Sequence, residues 1–273
     1  MTTTYIHSEK AFNANFAGKI SVLDHAVLYG DGVYDTFRVY NGKAFKLSEH
    51  IERLYESAKF ISLNPPVSKT ELRTLISQTW NISGLDDGFF RILFTRGVAE
   101  MGVDIRNAIN QDLIIILVDR PVNNQGVRLI TTSRYGSRAY PECKSLNYMT
   151  SILAKIEAVN KGYDDAILLD DRGFVTEGTT ENIFMVSHGE VYTPSAGILK
   201  GVVRDTIMEI HDVKEYAFYY TRLYEDADEV FLTGTGIEIA PVIKIDWKLF
   251  KEGPITKEIR KKYNEVKMNG EPL

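Results

Sequence analysis

The sequence predicts a mixed α/β (α+β) protein of two domains, and three observations carry that expectation. The chain has 273 residues, more than one minimal core needs and short for three domains. Apolar β-rich runs alternate with stretches of helical spacing in both halves, without the regularity of a simple βαβ array. A polar break with Pro and Gly, from Asp119 to Gly126, has little to bury. The expected division is a small N-terminal domain over 1–119, a linker over 120–126 and a large C-terminal domain over 127–273.

In the first half, Lys19 to Val22 is a short apolar segment and Val33 to Tyr40 alternates as a strand does. Asn41-Gly42 is a hairpin signal, and Lys43 to Phe45 begins the return strand. Ser48 reads as the N-cap of a helix whose apolar face is Ile51, Leu54, Tyr55 and Ala58. Pro65-Pro66 interrupts the chain, and Lys69 to Trp80 forms a second helix with Leu72, Leu75, Ile76 and Thr79 in phase. Phe89 to Thr95 and Leu113 to Val118 fit buried strands.

In the second half, Val127 to Thr132 is a strand. Asn147 caps a helix to Lys161 with Met149, Ile152, Leu153, Ile156 and Val159 on one face, and Gly162 stops it. Strands are expected at Ala166–Leu169, Phe174–Glu177, Asn182–Val186 and Glu190–Tyr192, with turns at Asp170–Gly173 and His188-Gly189. Gly201 introduces a helix from Val202 to His211. Glu229 to Thr233 is a strand leading into the small-residue loop Thr233-Gly234-Thr235-Gly236, and Thr256 to Val266 is a charged surface helix.

Composition removes several functional classes. Hydrophobic residues make up 44% and charged residues 25%, ordinary for a globular domain, and the net charge is −5. A nucleic-acid or membrane-surface partner would favour a basic patch, and none is visible. The longest aliphatic run, Leu113 to Val118, is far too short to span a bilayer. The opening MTTTYIHSEK carries no export signal, and the single cysteine, Cys143, allows no internal disulfide. Both point to the cytoplasm. The histidines (His7, His25, His50, His188 and His211) lack metal-site spacing, so no metal is expected. No dinucleotide fingerprint, phosphate-loop signature or nucleophile elbow is present.

What remains is an ordered set of segments. They are Asp24-His25-Ala26-Val27-Leu28-Tyr29-Gly30-Asp31-Gly32-Val33-Tyr34, His50-Ile51-Glu52-Arg53-Leu54, Lys144-Ser145-Leu146-Asn147-Tyr148 and Thr176-Glu177-Gly178-Thr179-Thr180-Glu181-Asn182-Ile183-Phe184. Gly201-Val202-Val203-Arg204-Asp205 and Thr233-Gly234-Thr235-Gly236-Ile237-Glu238 complete it. Together they resemble the fold-type IV, or class IV, pyridoxal 5′-phosphate (PLP) aminotransferases, over about Asp24 to Asp246. That family holds branched-chain aminotransferases, D-amino-acid transaminases and aminodeoxychorismate lyases.

The resemblance implies a role for each matching residue. Lys144 is the catalytic lysine, which bonds covalently to the cofactor and later carries the proton. Against this stands the common fate of a lysine, a solvated surface side chain. Glu177 matches the carboxylate that keeps the pyridine nitrogen protonated, where a plain turn glutamate is the alternative. Arg53 matches the phosphate arginine; the alternative is an exposed helix arginine paired with Glu49 or Glu56. Val202 and Val203 open a helix whose N–H groups suit a phosphate, though many relatives carry threonine where this chain has Val203. Thr235 and Gly236 match the last phosphate loop, and Tyr148 the tyrosine near the cofactor's phenolate. Asn182 reads either as support for the cofactor or as packing of its strand.

Tyr34, Phe37, Phe89, Arg91 and Thr235 are the expected substrate contacts. Arg91 falls in the branched-chain tyrosine-any-arginine pattern, with Phe89 replacing the tyrosine, and Met101-Gly102-Val103-Asp104 also fits that branch. D-amino-acid transaminases carry an arginine and a histidine two apart, whereas Arg96 here is followed by Gly97-Val98. Thr36 stands where branched-chain enzymes commonly have glycine and lyases often have threonine. The ranking is therefore branched-chain transamination with 2-oxoglutarate first, pyruvate-eliminating lyase second and D-amino-acid transaminase third. A non-catalytic binder that kept the fold is the reading from another class. The family implies a homodimer, with small amino acids and 2-oxo acids as partners.

Overall fold

The computed structural model describes residues 2–14, 18–136 and 139–273. It divides into two compact units. The first takes in residues 1–121, 142–147 and 267–273, and the second 122–141 and 148–266. The first break lies near the expected linker, but the units are not contiguous in sequence. Two short segments from the later half belong to the first unit because their backbones complete its sheet.

The first unit is built from strands β1 (Thr2–Ile6) and β2 (Ala11–Ala14), helix α1 (His25–Tyr29), strands β3 (Gly32–Tyr40) and β4 (Lys43–Ala44), helices α2 (Leu47–Phe60) and α3 (Lys69–Ser83), and strands β5 (Gly88–Thr95) and β6 (Leu113–Val118). The antiparallel sheet runs β4-β3-β5-β6-β1-β2, with Glu271–Pro272 added beside β4. Asn41 and Gly42 have φ of 47° and 74°, the left-handed pair a two-residue hairpin needs, and they set Tyr40 opposite Lys43. Strand alternation sends Val33, Phe37 and Val39 to one face with Phe90, Ile92 and Phe94, where Leu47, Ile51, Leu54, Leu72 and Ile76 cover them. Tyr34, Thr36 and Arg38 therefore take the opposite face.

Some expectations about these elements are corrected by the structure. Lys19–Val22 forms no strand, and the sheet instead begins with β1, whose buried Thr3 and Thr4 hide it from a search for apolar runs. Ser48 does not cap α2. That helix starts at Leu47 after Lys46, and the Ser48 N–H and hydroxyl both donate to Glu271, at 2.7 and 2.9 Å. Lys43–Phe45 shortens to the two residues of β4. Others lie elsewhere in the chain.

The second unit contains β7 (Val127–Thr132), α4 (Met149–Asn160), β8 (Asp165–Leu169), β9 (Val175–Gly178), β10 (Asn182–Ser187), β11 (Glu190–Thr193), α5 (Val202–Ile210), β12 (Val213–Glu215), α6 (Arg222–Glu225), β13 (Glu229–Gly234), β14 (Glu238–Ile245), β15 (Lys248–Leu249) and α7 (Pro254–Val266). Its sheet runs β12-β11-β10-β13-β14-β7-β8-β9, with β15 beside β14. The pairs β11/β12, β14/β7 and β7/β8 are parallel. Both faces are covered, so β8 is buried at every position: Ile167 and Leu169 join one core, Ala166 and Leu168 the other. Helix α4 covers the second core through Ala154 and Ala158. Its expected apolar face is the one left outside, with Met149, Ile152, Ile156 and Val159 all exposed. Close approach to the sheet requires small residues, and the large ones project away.

Candidate functional site

In the first unit the candidate residues gather around β3 and α2. The stretch Cys143–Leu146 lies along the β3 edge that β4 is too short to cover. The Tyr34 N–H donates to Lys144 O at 2.9 Å, Leu146 N–H donates to Gly32 O at 2.9 Å, and Val33 bridges Ser145. Helix α2 anchors it from the side. Its fully buried Ser57 accepts from the Lys144 N–H through Oγ at 3.1 Å and from Cys143 Sγ through its carbonyl at 3.6 Å. Lys144 is itself buried, and its Nζ lies 4.7 Å from the centre of the Tyr34 ring. The solvated-lysine alternative is excluded by that burial.

Tyr34 carries a second cation. The Arg91 guanidinium lies 4.7 Å from the same ring centre. Arg91 is exposed and stands opposite Thr36 across the β3/β5 ladder. Phe89, two residues away, has the Arg38 and Arg120 guanidinium groups over its ring at 5.3 and 5.1 Å. This sheet face thus combines aromatic surface with positive charge, a setting for a carboxylate on an apolar side chain. Phe37 is not on it. It is fully buried on the core face and stacked on Phe90 at 4.8 Å, because odd and even positions of β3 point opposite ways. Arg96 is committed elsewhere, forking Asp31 at 2.6 and 2.9 Å and donating to the carbonyls of Ile61 and Ser62.

Arg53 pairs with Asp35. Its Nε and Nη2 donate to the two oxygens of Asp35 at 2.8 Å each. Asp35 also meets His50 Nδ1 at 2.8 Å, and both residues are almost wholly buried. Burial would raise the Asp35 carboxyl, but Arg53 and His50 outweigh it and hold the group well below the usual carboxylate range. Burial lowers the His50 imidazole below its ordinary value, with Asp35 opposing and Arg53 and Lys144 adding to the shift. His50, Arg53 and Ser57 recur at helical spacing on the inward face of α2. Sequence reasoning does not single out Asp35, His50 or Ser57 as site residues. Polar residues inside the apolar stripe of Ile51, Leu54 and Ala58 are the signal that could have found them.

In the second unit Glu177 and Asn182 meet at the segment that leads into α5. Glu177, on β9, is buried and accepts from the Leu199 N–H through Oε2 at 2.9 Å. Asn182, at the start of β10, donates through Nδ2 to the carbonyl of the same Leu199 at 2.8 Å. One residue is thus gripped at both its backbone groups, which makes Asn182 a support for this segment. Gly201 follows as the N-cap of α5 and makes no side-chain cap to the first N–H groups, which include those of Val202 and Val203. A Cβ at Gly201 would lie 2.1 Å from Asn182 Oδ1. Thr235 and Gly236 form the turn after β13, closed by Ile237 N–H donating to Gly234 O at 3.2 Å. The hydroxyl of Thr233 beside it is buried without a hydrogen-bond partner. Tyr148, and not the expected Asn147, is the N-cap residue of α4, and it is half-buried. A helix entry without a side-chain cap, a cradle that only glycine leaves open and an orphaned hydroxyl are features a phosphorylated cofactor fits.

Comparisons with known proteins agree. Residues 32–245 match the family described as amino-transferase class IV. A Methanocaldococcus jannaschii protein named for branched-chain-amino-acid aminotransferase activity is 40% identical over 264 residues, covering 91% of each chain. The crystal structure of a branched-chain aminotransferase from Thermoproteus uzoniensis, solved with norvaline, superposes with a TM-score of 0.90 at 30% identity, over 98% of this chain and 95% of that one. A second branched-chain amino acid aminotransferase, from T.th., was solved in complex with N-(5′-phosphopyridoxyl)-L-glutamate. It gives a TM-score of 0.89 at 32% identity, over 97% of this chain and 94% of that one.

Proposed function

The chain belongs to the class IV aminotransferases, and from that premise we propose that it exchanges an amino group between a branched-chain or similar L-amino acid and 2-oxoglutarate, in a ping-pong cycle. The observation that carries this reading is the buried Lys144 amine beside Tyr34, with Arg91 on the same ring. PLP, the family's cofactor, supplies an electron sink for charge developing at the substrate Cα.

The residues divide the work as follows. Arg53, the N–H groups of Val202, Val203 and Gly236, and Thr235 hold the phosphate. Glu177, fixed by Leu199, keeps the pyridine nitrogen protonated. Asn182 supports the same segment, and Tyr148 donates to the phenolate oxygen. Lys144 is the covalent anchor and moves the proton between the substrate Cα and the cofactor's C4′. Arg91 takes the substrate carboxylate, with Tyr34, Phe89 and Thr235 lining the side-chain end; Phe37 is left out because it lies in the core. The engagement of Arg96 by Asp31 argues against the D-amino-acid branch.

The test is the absorption spectrum of protein loaded with PLP. L-leucine and L-glutamate should each bleach the cofactor band and release a 2-oxo acid, and Lys144→Ala should abolish turnover. Bleaching by D-alanine alone would refute the branched-chain reading. Thr36, which faces Arg91 across the ladder, supports the lyase as a second reading. A band untouched by all three amino acids, with pyruvate released from aminodeoxychorismate, would establish it.

The uncovered apolar face of α4 supports a homodimer, tested by light scattering. Among the described residues no helix is long and apolar enough to cross a membrane. A single, buried Cys143 that forms no disulfide is compatible with a cytoplasmic setting.

A further inference from the structure

We propose that Asp35 is a positioning residue for cofactor phosphate recognition, acting through Arg53, with His50 as the brace that holds Asp35 in place. The inference rests on the reading of Arg53 as the phosphate arginine and goes beyond it. A guanidinium on a helix has many rotamers, and a phosphate-binding arginine is effective only if one is selected before the ligand arrives. Here the selection is visible. Asp35 grips Arg53 through Nε and Nη2 in a two-point fork that fixes the plane of the guanidinium. The fork engages the edge formed by Nε and Nη2.

The carboxylate is itself immobilised. It is buried to 1% exposure on the core face of β3. One oxygen accepts from Thr36 N–H at 2.6 Å and from His50 Nδ1 at 2.8 Å. With Asp35 ionised, Nδ1 carries the hydrogen and donates it. His50 and Arg53 lie one turn apart on α2, and the same helix holds Lys144 through Ser57 one turn further on. The helix therefore sets the phosphate arginine and the catalytic lysine on one rigid element. A buried acid without a catalytic role is costly unless paired, and its pairing with a residue assigned to ligand binding is what the proposal explains.

The experiment compares binding of PLP with binding of pyridoxal, which lacks the phosphate, by absorbance titration of the apoprotein. Arg53→Ala establishes how much of the preference for PLP depends on Arg53. Asp35→Asn and His50→Gln are the tests, Asp35→Glu is the conservative rescue, and thermal unfolding of each apoprotein reports folding. Loss of one charge-assisted contact to the phosphate corresponds to about tenfold or more in affinity. Asp35→Asn should therefore cut the PLP-over-pyridoxal preference by about tenfold, leave the affinity for pyridoxal within about twofold, and be largely reversed in Asp35→Glu. His50→Gln should move the ratio the same way by less. An equal loss of both ligands in Asp35→Asn would show a merely structural role and overturn the proposal. So would an unchanged ratio in Asp35→Asn beside a collapsed one in Arg53→Ala. An unchanged ratio in Arg53→Ala would instead overturn the phosphate reading of Arg53, and the proposal with it.

Discussion

Replacing Gly201 by alanine adds one methyl where the structure has no room for it. The backbone at Gly201 has φ −80° and ψ 136°, which alanine adopts freely, so the penalty is purely steric. The new Cβ would sit 2.1 Å from Asn182 Oδ1 and 3.3 Å from its Cγ. Either the carboxamide turns away and releases the Leu199 carbonyl, or the entry to α5 shifts outward. Overpacking of this kind costs about 1–3 kcal/mol, and the lost hydrogen bond about 1 kcal/mol more. A combined cost of about 3 kcal/mol lowers the melting temperature by roughly 6–12 °C at this chain length. Because Leu199 also donates to Glu177, the same shift should weaken PLP binding. The assay is a double-mutant cycle of thermal unfolding and PLP affinity with Asn182→Ala. Removing the carboxamide removes the obstacle, so alanine at Gly201 should cost far less in the Asn182→Ala background, with coupling of about 1–2 kcal/mol. Strict additivity of the two changes would refute the steric account.

Further perturbations test other parts of the fold. Phe37→Ala should cost about 3–5 kcal/mol in stability while leaving the KM for amino donors nearly unchanged, since the ring belongs to the core; a selective rise in KM would return Phe37 to the pocket. The half-buried Glu181 is pushed up to about 8 by burial and by the neighbouring Asp165. A raised folded-state value means its stabilising contribution is complete in acid and is lost as pH rises through about 8. Glu181→Gln should therefore melt higher than the parent at about pH 9 and near it at about pH 5, measured by thermal unfolding; an identical pH profile would contradict this. Asp35 and His50 are both lowered in the folded state, so their contribution is present above their ordinary values and lost on acidification. Asp35→Asn should accordingly flatten the acid limb of the stability curve.

Much of the candidate site is legible along the chain because its chemistry is local. Lys144, Glu177 and the Thr235-Gly236 turn each sit in a short segment whose spacing is set by one strand end or one helix start. Helices α2 and α3 are legible for the same reason, since a 3.6-residue period shows which face is apolar. Periodicity says which residues share a face but not what covers that face. The stripe Met149, Ile152, Ile156 and Val159 is one face of α4, as its period implies, but it is not the buried one, because the sheet accepts only Ala154 and Ala158 at close range.

Everything that joins distant residues was decided by tertiary structure. The pairing of β1 with β6 buries threonines that carry no apolar signal, and Glu271 meets α2 across 223 residues. Alternation alone separates Tyr34 from Phe37, yet only the packing of α2 and α3 says which side is the core. The Asp35 fork on Arg53 spans 18 residues and two elements. The sequence by itself determined the family and the longer helices α2, α3, α4, α5 and α7, which depend on neighbours within a turn. The tertiary structure decided which polar groups are buried and what they hold, because a charge is brought into the interior only where partners from other elements offset its desolvation.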